Sequence, residues 1–246
     1  MKMNPYDNFH KSTRVQKKII SENNFTYFNG IKILKRLLNK NDKLKILDFG
    51  CGVGTISLYL ANLGHEVTSI DISNKAIDQA KKSAEFLGLS NKINFLTLKD
   101  SIPFLNGKIF DLILLIEVIE HLPNDKETLK SLTLHLKKGG YMVISTPSVN
   151  APLFKLGLLN SFDKSVGHLR RYDETQLISL MAELNLKILT LEKKESILRN
   201  SLFTLPVFSW MVRFIKGPLS NLFMSFDTIL VRILGESNFY IVATKY

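Results

Sequence analysis

The stretch Lys43–Gly54, KLKILDFGCGVG, decides the fold. Lys45-Ile46-Leu47 is a short apolar run of the kind that forms a buried parallel strand. It breaks at once into Asp48-Phe49-Gly50-Cys51-Gly52-Val53-Gly54, with glycine at three alternate positions. A helix is expected directly afterwards, over Thr55–Leu63. Glycine takes positive φ freely and leaves room where a Cβ would stand, so a glycine-rich turn between strand and helix makes a cradle for a nucleotide-like cofactor.

Spacing narrows the choice of cofactor. A dinucleotide fingerprint places glycine at the first, third and sixth positions of the turn. Here the sixth position, counted from Gly50, is Thr55, and the glycines run as D-x-G-x-G-x-G behind Asp48. A carboxylate so close repels a pyrophosphate and attracts a cation. Glu66–Asp71 reads as a second strand, and Asp71 lies about twenty residues past the turn, the separation at which an acidic side chain reaches a ribose hydroxyl pair.

The residues LDFGCGVG resemble the first motif of class I S-adenosylmethionine-dependent methyltransferases. Phe110–Leu122, FDLILLIEVIEHL, resembles their fourth motif, most closely in the branch containing the quinone-biosynthesis O-methyltransferases. Leu136–Gly140, LKKGG, followed by an apolar strand and Thr146-Pro147, is similar to their fifth strand. The resemblance covers residues 43 to 190 and implies S-adenosylmethionine as cofactor. It puts Asp48, Gly50, Cys51, Gly52 and Gly54 around the amino-acid part, with Asp71 and Ile72 following at the ribose. Asp100 would face the adenine, with Ser101 able to share that contact, and Glu117 would lie beside the sulfonium. The implied fold is α/β: a doubly wound, seven-stranded, mostly parallel sheet whose last strand is antiparallel. N-terminal helices over residues 1–42 and a helical insertion over 198–236 complete one domain.

Composition sets the outer limits. The 246 residues are 45% hydrophobic and 22% charged, ordinary for a globular chain, and the net charge of +11 favours an anionic partner or a diffusely basic surface. Cys51 is the one cysteine, so no intrachain disulfide and no thiol zinc cluster can form, which suits a reducing cytoplasm; a small buried residue is the plainer role for it. Nothing in the chain reaches the ~18 uncharged apolar residues of a membrane span, and no signal-peptide core opens it.

Further elements follow in order. Val15–Asn39 reads as helical, with Arg14, Tyr27 and Phe28 able to touch the cofactor or acceptor, although such apolar periodicity usually marks packing. Ser73 is an N-cap for a helix over Lys75–Leu87, and a third strand spans Ile93–Leu98. Phe110–Ile116 is apolar almost throughout, as a strand covered on both faces should be. A helix over Asp125–Leu136, a strand over Tyr141–Ser145, a helix over Thr175–Leu184 capped by Asp173, and strands over Leu186–Leu191 and Asn238–Lys245 complete the pattern.

The acceptor side is expected in the long connection 148–172. His168 is the first candidate for removing an acceptor proton and His121 the second, because imidazole exchanges protons near neutral pH. Arg170, Arg171 and Tyr172 are candidates for holding an acceptor, the arginines through a carboxylate or phosphate. The alternatives are that His168 only bonds the loop backbone and that the arginines are solvated. Glu117, Glu120 and His121 could ligate a divalent metal, which is not expected to be needed.

Two amphipathic helices are expected in the insertion, broken at Gly217-Pro218. They would serve as a cover or dimer interface, a lid over an apolar acceptor, or a membrane-surface contact. The reading is a cytoplasmic, possibly membrane-peripheral, S-adenosylmethionine-dependent methyltransferase acting on oxygen of a small-molecule or lipid-linked acceptor, such as a quinone precursor or glycan sugar. The alternative is a scaffold that keeps the cofactor fold and docks through the insertion. Nucleic acid is not expected as a partner: no N-P-P-Y-type element follows the fourth strand, and no separate basic domain is present.

Overall fold

The computed structural model describes residues 14–39, 42–98, 105, 107–205, 208 and 210–246. Seven strands form one sheet: β1 (Lys45–Phe49), β2 (Glu66–Asp71), β3 (Ile93–Thr97), β4 (Phe110–Ile116), β5 (Leu136–Pro147), β6 (Leu186–Lys194) and β7 (Asn238–Lys245). Their order is β3-β2-β1-β4-β5-β7-β6. The first five are mutually parallel, and β7 runs antiparallel between β5 and β6. The order reverses between β1 and β4, so the crevice at the carboxyl ends of these two strands is where an open α/β sheet takes its ligand.

Helices cover both faces. Among the described residues they are α1 (Phe28–Leu37), α2 (Thr55–Asn62), α3 (Asn74–Phe86), α4 (Asp125–Leu134), α5 (Pro152–Lys155), α6 (Asn160–Val166), α7 (Glu174–Glu183), α8 (Ile197–Thr204) and α9 (Pro218–Leu234). On β4, Ile113 and Leu115 join Leu129, Leu132, Leu177 and Met181 in one core, while Leu112 and Leu114 join Ile31, Leu34, Leu58 and Ile77 in the other. A strand with apolar neighbours on both sides is apolar throughout, which is why β4 reads as a continuous run.

The structure corrects four boundaries. The helical pattern expected over Val15–Asn39 condenses, among the described residues, to α1, and residues 1–13 of the expected N-terminal helices lie outside the described residues. Ahead of α1, Asn24 N–H bonds Ser21 O, and Asn24 Oδ1 accepts from Tyr27 N–H. An asparagine side chain that satisfies the backbone locally competes with helix. The fifth strand starts at Leu136 rather than Tyr141, because Lys137–Gly140 is absorbed by a register shift opposite Phe110 and Leu112. The connection 148–172 contains α5 and α6, too short to declare themselves by periodicity. Among the described residues, the first half of the insertion carries α8 and, separately, a 3₁₀ turn, Trp210–Phe214, rather than one helix. The break at Gly217-Pro218 stands: Gly217 has φ 55 and Pro218 opens α9.

A third apolar cluster joins the insertion to the N-terminal segment: Phe25 and Phe28 pack on Leu202, Ile215 and Met224. Arg199, buried, donates to Phe25 O at 2.6 Å and Thr26 O at 2.9 Å, pairs with Glu195 at 3.0 Å and lies over the Phe25 and Phe203 rings.

Candidate active site

Gly50, Gly52 and Gly54 all have positive φ, at 76°, 54° and 76°. Gly50 and Cys51 donate to Ile70 O, tying the turn to β2. A Cβ on Gly50 would stand 2.4 Å from Val118 Cγ2, and one on Gly54 would stand 3.0 Å from Ala80 Cβ. The first and third glycines are therefore demanded by packing as well as conformation. This bare backbone turn at the carboxyl edge is the feature a cofactor of the expected kind requires.

The two acidic residues frame the turn. Asp71 accepts from Gly52 N–H at 2.7 Å and from Ser73 N–H at 2.9 Å, so its carboxylate fixes the turn and the start of α3 together. Ser73 caps α3 through Ala76 N–H. Asp48 is buried, accepts from the Ser57 hydroxyl, and is pushed up to about 6 by burial, which the Ser57 bond opposes and the Asp71 charge reinforces. Tyr27 reaches Thr55 at the head of α2, so the N-terminal segment lies against the turn; burial raises its hydroxyl. The Cys51 thiol is pushed well up by burial and by Asp48 and Asp71, as suits a packed side chain. Ile72 follows at the end of β2 and is 45% exposed. Asp100 and Ser101 lie outside the described residues.

On the other side of the crevice, β4 ends in Glu117, which has φ 55, an unusual conformation for a side chain with a Cβ. Its N–H donates to Ser145 Oγ at 3.1 Å, and its carboxylate accepts from the Ser145 hydroxyl at 2.6 Å and Asn238 Nδ2 at 3.1 Å. Burial, then the charge of Glu195, raises its pKa. Val118, against Gly50, leads into a 3₁₀ turn over Ile119–His121 that aims Glu120 and His121 at the loop after β5.

There α6 ends at Gly167, φ 82, and delivers His168 beside them. Nδ1 of His168 lies 2.9 Å from Asp163 Oδ1, and Nδ1 of His121 lies 3.1 Å from Gly167 O. A carboxylate and a carbonyl can only accept, so each ring donates through its Nδ1–H. The Nε2 atoms of His121 and His168 stand 3.9 Å and 4.0 Å from Glu120 Oε1. Glu120 is fully buried; Oε2 accepts from Thr146 at 3.1 Å, and Oε1 has no hydrogen-bond partner. Burial, then the nearby Glu117, raises its carboxyl well above the usual range, and burial lowers His121.

Asp163 is the residue that the sequence did not flag. Burial pushes it up, but bonds from His168 and Arg171 outweigh burial and hold it at about 2. Arg171 gives it two hydrogen bonds, 2.8 Å and 2.6 Å, and Arg171 Nη1 reaches Ser148 O at 3.3 Å. Arg171 thus braces Asp163. Arg170 and Tyr172 form a separate group on Asp125, at 2.6 Å and 2.5 Å, with the Tyr172 ring in the core. A spacing of five residues across a helix end, Asp163 to His168, was the available signal.

Glu120, His121 and His168 each offer one ligand atom, and these atoms all lie within 4.8 Å of one another. A cleft of 620 Å³ lined by Lys45, Glu66 and Phe110 lies at the starts of β1, β2 and β4, the opposite edge from this chemistry. Open α/β sheets act at their carboxyl edge, and the glycine turn and the histidine cluster both lie there.

A family model described as a methyltransferase domain matches residues 23–191. The ubiquinone biosynthesis O-methyltransferase of Rickettsia prowazekii is 35% identical over 131 residues, 52% of this chain and 50% of that protein. The chain thus spans about half the length of that relative. Among solved structures, the magnesium protoporphyrin IX methyltransferase of Synechocystis with bound S-adenosylhomocysteine superposes at TM-score 0.62 with 16% identity, over 98% of this chain and 93% of the other. The cyclase SpnF superposes at TM-score 0.60 with 16% identity, over 88% of this chain and 82% of the other. These two likenesses speak for the fold alone.

Proposed function

The chain belongs to the S-adenosylmethionine-dependent methyltransferase-domain family, and from that premise we propose that it methylates a hydroxyl oxygen of a small, lipid-linked acceptor of the quinone-precursor type. The ubiquinone-biosynthesis relatives support the acceptor class over the half of their length that this chain matches. The observation that carries the reaction is the Asp163–His168 pair set beside Glu120, one 3₁₀ turn from the glycine cradle.

The cofactor supplies an electrophilic methyl group on a sulfonium. The chain's part is to align the acceptor oxygen with that group and to take its proton, since charge is lost rather than created at sulfur. Asp48, Gly50, Cys51, Gly52 and Gly54 would hold the amino-acid portion, Asp71 and Ile72 the ribose, and Glu117 would lie in the region of the sulfonium. His168 Nε2 would accept the acceptor's proton while Asp163 holds the other ring nitrogen and stabilises the imidazolium that forms. His121 is the neighbouring second acceptor, 4.9 Å away ring to ring.

His168→Ala is expected to lower turnover by about 10²–10⁴-fold, the usual contribution of a positioned base. Its affinity for S-adenosylhomocysteine by calorimetry should stay within twofold of wild type. Normal turnover on a prenylated phenol as acceptor removes His168 from the reaction, and lost cofactor affinity makes it a structural residue.

One observation favours a second reading. Glu120 Oε1 is buried without a hydrogen-bond partner, and two imidazole nitrogens face it. Ligands about 2.1 Å from a tetrahedral ion stand roughly 3.4 Å apart, and the ligand atoms of Glu120, His121 and His168, all within 4.8 Å of one another, would draw together to hold a divalent cation such as Mn²⁺ or Zn²⁺. Chelator-treated protein titrated with each ion separates the two: micromolar binding lost in Glu120→Gln supports the cation, and full turnover after chelation leaves the histidines as bases.

A further inference from the structure

Among the described residues, helix α9 is fixed on its inner side and uncovered on its outer one. Ser220, Met224 and Asp227 are buried, and the Asp227 carboxylate accepts from Ser196 N–H and Arg199 N–H, both at 3.0 Å. Outward stand Leu219, Leu222, Phe226, Ile229 and Ile233, exposed between 51% and 71%. They recur at alternating three- and four-residue steps, which keeps all five on one stripe. Just before the helix, Trp210 and Phe214 are exposed as well, with their rings packed edge to face at 5.7 Å. Monomeric proteins rarely leave so much apolar surface in one place.

Charge decides what covers it. From Ser201 to Gly235 the only acidic residue is Asp227, and it faces inward, whereas Lys216 and Arg232 flank the stripe in solvent. A second copy laid on this stripe would set Arg232 against Arg232 if parallel and Lys216 near Arg232 if antiparallel, with no exposed carboxylate on the helix to relieve either. The residues beside the stripe, Phe223, Ser225 and Leu230, provide none of the opposite charges that fix helix pairing. An apolar stripe with a tryptophan and cationic flanks, on a chain of net charge +11, matches an anionic lipid interface instead.

We propose that the outer stripe of α9, with Trp210 and Phe214, seats this protein on the surface of an anionic bilayer. The helix lies in the plane of the interface, its apolar side chains among the acyl chains and Lys216 and Arg232 at the headgroups. The same insertion packs through Leu202, Ile215 and Met224 on Phe25 and Phe28, next to the Tyr27 that touches the cofactor turn. The seated face is thus two packing layers from the crevice. This inference rests on the stripe and its charges, and it stands whichever acceptor is used.

Trp210 is the only tryptophan of the chain, so its emission reports directly. The full chain is mixed with vesicles of phosphatidylcholine containing three-tenths phosphatidylglycerol, and with pure phosphatidylcholine. Co-sedimentation and a blue shift of Trp210 emission are expected with the anionic vesicles, weakened at least tenfold by Leu222→Glu/Phe226→Glu and by raised salt. Both substitutions lie on exposed positions, and an unchanged affinity for S-adenosylhomocysteine shows that the variant is folded. Failure to bind anionic vesicles, or binding that survives the double substitution, overturns the proposal. So does a wild-type dimer in solution that Leu222→Glu/Phe226→Glu converts to monomer, because the stripe is then occupied by a second copy.

Discussion

Asp48 lies under the glycine turn with Ser57 as its partner, and its carboxyl is pushed up to about 6 by burial. Unfolded, it ionises near its ordinary 3.8. Between those values the folded chain keeps a proton that the unfolded chain has released, so this residue's contribution to stability falls as pH rises from about 4 to about 6 and stays low above. The shift corresponds to roughly 3 kcal/mol as an order of magnitude. Asp48→Asn should therefore match wild type near pH 4 and exceed it by about 1–3 kcal/mol at pH 7 in urea unfolding. A difference independent of pH would show that burial of the charge is not the cause. The strain is retained where the carboxylate can face a cationic ligand, so the same variant should bind S-adenosylmethionine more weakly. Gly50→Ala carries the opposite sign: a Cβ 2.4 Å from Val118 at φ +76 should cost about 2–4 kcal/mol. Gly64→Ala, at φ 102 with nothing within 4 Å, should cost about half of that or less. Equal losses at the two sites would mean that only the backbone conformation matters. Asp48 and Gly50 were legible in the sequence because their chemistry is local. The burial of Glu120, with Oε1 left without a hydrogen-bond partner, was not, because burial is a property of the whole packing.

At the scale of elements, α6 and the turn at Gly167 do the positioning. The short helix carries Asp163, and its left-handed end returns the chain so that His168 meets the same carboxylate. Arg171 closes the arrangement from the far side and fixes it to Ser148 O at the end of β5. Asp163→Ala removes the acceptor for both side chains. It is expected to lower kcat by at least tenfold with little change in cofactor affinity, and Asp163→Asn should restore part of the loss by still accepting from one partner. A fall in cofactor affinity equal to the fall in kcat would make Asp163 a folding residue instead. Elements built on strong periodicity or local caps were legible: β4, β7 and α7, whose capping box between Asp173 and Gln176 is complete. The N-terminal segment was not, because its apolar residues pack the same way whether carried on helix or on turns. Phe25 reaches the core from a turn. Helices α5 and α6 were hidden because seven residues or fewer give less than two turns of pattern.

Across the whole molecule, the sheet order brings the two halves of the site together. The glycine turn and Asp71 come from β1 and β2; Glu117, Glu120 and His121 come from the end of β4, and they meet because β4 pairs with β1 on the side away from β2. That much followed from the motif order, whereas the stripe on α9 could be placed only once its inner face was known. A ligand that fills this crevice bridges both halves and resists unfolding of the whole sheet. At a concentration 100 times its Kd, S-adenosylhomocysteine should add about 2.7 kcal/mol to stability and raise Tm by roughly 5–10 °C for a chain of this size. Asp71 holds Gly52 and Ser73 through its two oxygens, so Asp71→Ala loosens the turn and removes the expected ribose acceptor together. The variant should lose the thermal shift at that concentration while its ligand-free Tm falls by only a few degrees, as loss of two hydrogen bonds implies. Scanning both proteins with and without ligand decides it. A full shift in Asp71→Ala would show that the cofactor is gripped from the β4 side alone, and the ribose assignment would then fall.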